Sequence, residues 1–345
     1  MALETEHPHS NKYKCRLTEK ANWCTTMSIW KLRLSMAGTL AIIFGLSTLF
    51  AALILDFVGS LSIVTLGVFV IGFNLVQWLI SPYLIGFLYR TRELPPGENP
   101  ELHQIVANLS QKSGISKPKL MLAQIPLPNA MAYGTPLSGS RIAVTSGLLQ
   151  ALNTGEVEAV IGHELGHLKH KDVQIMMFVS LLPALLYYIG YSLTVSSMYG
   201  RQRNEGNGVA ALGIVFIIGW FVLYLFTLSL SRLREYYADR HSAAIVENGS
   251  QKLSTGLAKI VNVTRNVGRA TKQTKNLNAF KALFITDPDH AAIDSAELTR
   301  ASISGDRELV DQILSQRVST GAKILEVLST HPNIVKRLKA LRELD

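Results

Sequence analysis

Cysteine is almost missing from this chain: its 345 residues hold two, Cys15 and Cys24, both ahead of the first apolar run. Two thiols near one end cannot staple a fold, and a C-x8-C spacing is no common zinc motif. Charge is scarce as well, at 17% of residues, and acid is scarcer than base, with 25 Asp and Glu against 34 Lys and Arg. Between Met36 and Tyr89 the only charged residue is Asp56. Internal repeats and low-complexity tracts are absent. So is any aromatic-interleaved basic patch, which leaves no nucleic-acid reading for the formal net charge of +9. The opening ~25 polar residues also lack the short basic region and apolar core of a cleavable signal.

What the chain has in quantity is apolar surface. Hydrophobic residues make up 48%, the mean hydropathy is +0.22, and the excess gathers in residues 36–57, 63–89, 174–199 and 209–230. Each run reaches the ~20 residues that carry a helix across a bilayer. Helices of a soluble core are usually shorter and keep a polar stripe. The expectation is an integral membrane, mainly α protein with four transmembrane helices. Lys12, Lys14, Arg16, Lys20, Lys31 and Arg33 precede the first run, Arg90 and Arg92 follow the second, and Arg232 and Arg234 follow the fourth. Basic residues at span ends favour the cytoplasmic side, which places both termini and residues 90–171 there. Arg201 and Arg203, after the third run, go against that rule. The chain divides accordingly into a polar tail (1–35), a transmembrane hairpin (36–89), a first catalytic part (90–172), a second hairpin (173–231) and a second catalytic part (232–345).

Between the hairpins the periodicity changes. Leu102, Ile105, Val106 and Leu109 mark one stripe of a helix over 101–113. Residues 119–124, 130–133 and 141–145 are short apolar segments bounded by Pro, Gly and Ser, and read as strands of a small sheet. Asn153-Thr-Gly-Glu156 reads as a reciprocal cap. It opens a helix that runs through His167 to about Lys171 and almost without a break into the third span. The lysines from Lys252 to Lys281 read as a solvated or headgroup-facing surface.

His163-Glu164-Leu165-Gly166-His167 carries the chemistry. Residues four apart share a helix face, so both imidazoles can reach one tetrahedral zinc ion, with Glu164 on the adjacent strip to take and return a proton. Chance gives this motif in roughly one such chain per hundred, and Val160, Ile161 and Leu165 make the helix part of a core. A catalytic zinc needs a third protein ligand. Glu235, in Arg234-Glu-Tyr-Tyr-Ala-Asp239, is a candidate, with Asp239 on the same helical face to orient a histidine ring. On spacing alone, a charged cap on a membrane helix reads equally well. His170 lies a turn beyond the two ligands and faces solvent or a carboxylate. Asp172 anchors the end of the helix. His241, His290 and His331 are lone histidines with structural readings, and His7 and His9 are solvated.

With these residues in view, the chain from Met27 to Leu341 resembles the HtpX family of membrane-bound zinc metalloproteases. The two leading spans, His163-Glu-Leu-Gly-His167 with Asp172 after it, the later pair of spans and Arg234-Glu-Tyr-Tyr-Ala-Asp239 carry the likeness. The resemblance implies one zinc per chain, Glu235 as third ligand, Asp239 and Asp172 as supporting partners, and a zincin-like α+β catalytic domain in the cytoplasm. Asn129-Ala-Met-Ala-Tyr-Gly134 is similar to the family's substrate-pairing edge strand, which makes Asn129, Ala130, Met131 and Ala132 substrate-binding. His331-Pro332, with Arg337 beyond, resembles a late His-Pro motif and implies that His331 stabilises the oxyanion. The implied activity is cleavage of misfolded or damaged membrane proteins at the cell membrane. Two rivals remain from sequence: a prenyl-protein protease of the CAAX type, with about seven spans, and a four-span metal-binding transporter without catalysis. The near absence of ionisable residues in the spans speaks against the transporter.

Overall fold

Three of the four apolar runs fold as single long helices. The computed structural model describes residues 63–199, 206–270, 305–316 and 320–345. The expected first span, the polar tail with its cysteines and His7 and His9, the Arg201–Arg203 loop and His290 lie outside the described residues. Two compact units divide the chain, Met1–Phe69 and Val70–Asp345; the site belongs wholly to the second.

The described elements are α1 (Ile63–Leu88), β1 (Arg92–Glu93), α2 (Pro100–Ser113), β2 (Lys119–Ala123), β3 (Ala130–Thr135), β4 (Gly139–Thr145), α3 (Ser146–Ala151) and α4 (Thr154–Lys169). They continue with α5 (Asp172–Tyr199), α6 (Gly206–Ile245), α7 (Gly249–Ala270), α8 (Asp306–Ser315), α9 (Thr320–Val327) and α10 (Ile334–Arg342). Helices α1, α5 and α6 each contain a segment long and apolar enough to span a membrane, and only 11%, 17% and 6% of the most apolar windows is buried within the protein. Their large side chains, such as Phe87, Phe178 and Phe226, point outward; lipid is the solvent that tolerates this. Among the described residues there are thus three candidate spans.

Close glycine contacts hold α5 and α6 together. A Cβ at Gly190 would stand 2.8 Å from the Gly213 carbonyl oxygen, and one at Gly213 would stand 2.4 Å from Thr194 Oγ1. Small residues let membrane helices approach in this way, where the hydrophobic effect offers no drive between them. Helix α6 does not stop where the apolar run stops. Its 40 residues carry the chain from the last apolar run straight through Arg232, Glu235 and Asp239.

The sheet has the order β1-β2-β4-β3, parallel between β2 and β4 and antiparallel at both outer pairs. Alternation sends Leu120, Leu122, Ile142 and Val144 into the main core, where they meet side chains of α2, α4, α7 and α10. Met121, Ala123, Met131, Tyr133 and Ala143 point the other way and close on Tyr89 and Ile85 at the end of α1. Strand β3 is an edge among the described residues.

The Lys-rich stretch departs from expectation in its described part. Lys259 Nζ reaches Glu156 Oε1 and Asp306 Oδ2, each at 2.8 Å, and Lys252 Nζ lies 3.2 Å from Glu158 Oε2. These lysines clamp α7 to the first turn of α4 instead of forming a free surface, because the acids of that turn face α7.

Candidate metal centre

Helix α4 is fixed at its start by the Asn153–Glu156 capping box. The Glu156 amide donates to Asn153 Oδ1 and the Asn153 amide to Glu156 Oε2, each at 2.9 Å. At its end, Lys171 takes a left-handed conformation, φ 54°, and turns the chain into α5. The expected near-continuity of the two helices is therefore broken by a two-residue corner, His170 and Lys171, and it puts Asp172 back against the last turn of α4.

Helix α6 crosses α4 where α4 has no side chains. A Cβ on Gly166 would lie 3.0 Å from Ala238 Cα, and one on Gly162 would lie 3.0 Å from Ser242 Oγ. Ser242 Oγ donates to the Ala159 carbonyl at 2.6 Å. This approach brings two imidazoles of one helix to a carboxylate of the other. His163 Nε2 and His167 Nε2 are 3.1 Å apart, and the Glu235 oxygens stand 3.7 and 3.5 Å from them respectively.

Those three separations test whether the residues suit a metal. A tetrahedral ion with bonds of ~2.0–2.1 Å has ligand–ligand edges of about 3.3 Å, which the observed 3.1, 3.5 and 3.7 Å straddle. The opposite ring nitrogens are engaged: His163 Nδ1 lies 2.9 Å from Asp239 Oδ1, and His167 Nδ1 lies 2.6 Å from Asp172 Oδ2. With each Nδ1 facing a carboxylate, both Nε2 atoms converge on one point. Glu235 Oε2 is buried and makes no well-aligned hydrogen bond, its partners being the charges of Arg337 and His331 at 3.0 and 3.4 Å. Four carboxylates gather here, Glu164, Asp172, Glu235 and Asp239, all buried, and the guanidiniums of Arg234 and Arg337 offset half of that charge. A divalent cation would offset the rest. The residues fit.

Arg337 is the residue whose role sequence reading left blank. It is 1% exposed, donates from Nε to Asp239 Oδ2 at 2.9 Å, and places Nη1 3.0 Å from Glu235 Oε2. Burial disfavours its charge, but Asp239 and Glu235 outweigh burial and raise its pKa further. One side chain of α10 thus ties a ligand candidate to the group that orients His163. No sequence periodicity signals this, because the partners are about a hundred residues apart. Arg234 has a comparable tie, Nε to Asp172 Oδ1 at 3.2 Å.

His167 shows the field of the site. Burial lowers its pKa, yet the Asp172 hydrogen bond and the charges of Glu235, Glu164 and Asp172 prevail and raise it from 6.5 to about 9. His331 arrives on the loop after α9, its Nδ1 3.4 Å from Glu235 Oε2. Arg232 holds that loop by donating from Nη1 to the carbonyls of Glu326, Val327 and Ser329 at 2.9, 3.1 and 2.8 Å. The expectation of Arg232 and Arg234 as topological charges omitted these internal contacts.

The remaining candidates are elsewhere. Asn129 is buried and pairs with Thr145 through its amide and carbonyl, while Ala130, Met131 and Ala132 bond to β4 on one side only; β3 packs against α4. His170 is exposed and near Tyr237 and His241, with ring centroids at 6.2 and 6.1 Å. His241 Nε2 meets Ser113 Oγ at 2.9 Å, a structural contact.

A His-x3-His helix joined to a distant carboxylate, on a helix rising from an apolar hairpin, defines a membrane-bound metalloprotease. Residues 96–345 match peptidase family M48. The chain belongs to that family, among its HtpX proteases. It is 37% identical over 332 residues to the Protease HtpX homolog of Thermoplasma acidophilum, covering 92% of this chain and 99% of that one. It is 36% identical over 335 residues to Protease HtpX homolog 2 of Saccharolobus solfataricus, covering 93% and 98%. The crystal structure of S. mikatae Ste24p shares the fold, with a TM-score of 0.54 at 17% identity over 91% of this chain and 67% of that one.

Proposed function

We propose that this metalloprotease is a zinc endopeptidase that cuts unfolded or misfolded membrane proteins at the cytoplasmic face of the cell membrane. The observation that carries the reading is the convergence of His163 Nε2, His167 Nε2 and the Glu235 carboxylate, all within 4.8 Å of one another. His163, His167 and Glu235 would hold the zinc, one per chain, with Asp239 and Asp172 fixing the two rings. The ion would supply Lewis-acid chemistry, making water more acidic near neutral pH and polarising a carbonyl.

The chain's own groups do the rest. Glu164, buried between the two histidines in sequence, accepts the proton of the attacking water on its carboxylate and returns it to the leaving amine nitrogen. His331, with Nδ1 3.4 Å from Glu235 Oε2, can donate from Nε2 toward the developing oxyanion when its ring is doubly protonated, a role worth ~3 kcal/mol for such donors. Asn129 to Ala132 offer an extended substrate the open edge of β3.

Helix α6 supports the location. Glu235 lies five residues past the apolar run, about 7 Å along the helix axis, so the chemistry sits at the bilayer surface. The relatives, alike along almost the whole chain, favour this reading over the CAAX-type protease and the transporter. The test uses full-length protein in detergent with casein as unfolded substrate. Wild type should carry one zinc and cleave; Glu164→Gln should keep its zinc and melt normally but lose at least ~10²-fold in rate. Full activity in that variant ends the mechanism, and an unchanged zinc content in Glu235→Ala removes the third ligand.

A further inference from the structure

The outer face of the sheet meets the membrane helix. Met121, Ala123, Met131, Tyr133 and Ala143 close on Ile85 and Tyr89, where α1 ends. By alternation Lys119 and Arg141, register partners on β2 and β4, stand on that same face. The Arg141 guanidinium lies 5.8 Å from the Tyr83 ring centroid, more than a turn inside the apolar end of α1. Its Nε is buried without a hydrogen-bond partner. Tyr133 Oη stands 3.5 Å from Thr91 Oγ1, just past the helix.

The turn between β3 and β4 extends this face. Thr135 and Ser138 brace it with reciprocal amide–hydroxyl bonds of 3.0 and 3.1 Å, and they hold up Leu137, 78% exposed at the tip. Helix α1, which this sheet face meets, turns Tyr83, Leu84 and Phe87 outward, side chains that a membrane helix presents to lipid. An arginine over the ring of an interfacial tyrosine, on a sheet face that ends in an exposed apolar tip, has the chemistry of a headgroup contact through its outer guanidinium nitrogens.

We propose that this sheet face and the 135–139 turn rest on the lipid headgroup layer, with Leu137 at the acyl boundary and Arg141 on a lipid phosphate. The open edge of β3 then runs along the membrane surface. Resting on the protease reading above, this narrows the substrate to a polypeptide segment just leaving the bilayer, because a chain paired with β3 lies against the lipid.

The test places a fluorophore at Leu137→Cys in full-length protein carrying Cys15→Ser and Cys24→Ser, reconstituted in phosphatidylcholine–phosphatidylglycerol vesicles. A label at Gln111→Cys, on the exposed side of α2, is the reference. The Leu137 label should emit to the blue and be quenched by headgroup-proximal spin-labelled lipid at least fivefold more than the reference. Water-like emission with iodide quenching overturns the proposal, as does a blue-shifted label that lipid does not quench, which would mean cover by protein. A second arm compares wild type with Leu137→Glu. Casein cleavage should be unchanged and cleavage of a bilayer-anchored peptide should fall about tenfold; an equal rate on the anchored peptide overturns the substrate assignment. If wild type cleaves neither, the protease reading fails, and the label result still decides the membrane contact.

Discussion

Arg337 sets the electrostatics of the centre. It neutralises Asp239 and Glu235 at once, and all three are buried, so its removal strands two buried carboxylates. Breaking such a pair costs about 3–5 kcal/mol. Arg337→Ala should therefore lower the melting temperature sharply, and more in chelated protein than in protein with zinc, since a bound cation still faces Glu235. Equal losses in the two states would show that Arg337 does not share Glu235 with the ion. His167 makes a prediction in pH. In the metal-free protein its pKa stands at about 9 against an ordinary 6.5. A raised value in the folded state means that the protonated ring contributes stability fully below pH 6.5 and loses it as pH climbs through 9. The same proton must leave before Nε2 can bind a metal. Zinc affinity, measured by chelator competition, should rise about tenfold per pH unit between 7 and 8.5; a flat profile would place the proton elsewhere.

At the scale of elements, the centre depends on how closely α4 and α6 cross. Gly166 sits between His163 and His167 and faces Ala238, between Glu235 and Asp239, so the crossing lies within a turn of every ligand candidate. The 3.0 Å from its absent Cβ to Ala238 Cα leaves a methyl little room, because backbone cannot swing aside as a side-chain tip can. Gly166→Ala should cost about tenfold in zinc affinity, and Gly166→Leu should abolish binding while the melt still reports a folded protein. Retained stoichiometry in the leucine variant would show that the helices can separate without opening the site. The capping box at the other end of α4 has Glu156 shared between the Asn153 amide and Lys259, which joins the start of the metal helix to α7.

For the whole molecule, α6 is a continuous rod from its apolar, candidate membrane-spanning part to the candidate metal centre. Gly213 and Glu235 are 22 residues apart on it, about 33 Å of helix, yet both depend on how α6 lies against its neighbours. Gly213→Leu would drive a side chain into Thr194 and Gly190, pushing α5 and α6 apart. The start of α5 carries Asp172, which orients His167, so the disturbance reaches both sides of the centre. Casein cleavage should fall at least tenfold, with greater loss of zinc to chelators; a variant with wild-type kinetics would show that the spans anchor the enzyme without holding its geometry.

The spans, the capped helix and the His-x3-His spacing are local matters. They depend on hydrophobic runs, one Asn–Glu pair and a helical repeat, all legible within ~20 residues. The three strands were readable for the same reason, apart from the two-residue β1, whose pairing with β2 has no pattern of its own. What only the tertiary structure decided is non-local. It turned Lys252 and Lys259 inward to acids about a hundred residues earlier, gave Arg337 its two carboxylates, and set the sheet's outer face against the end of a membrane helix. Periodicity records which side of an element is apolar, but not what that side will meet; the meeting is fixed by close packing among segments distant in sequence.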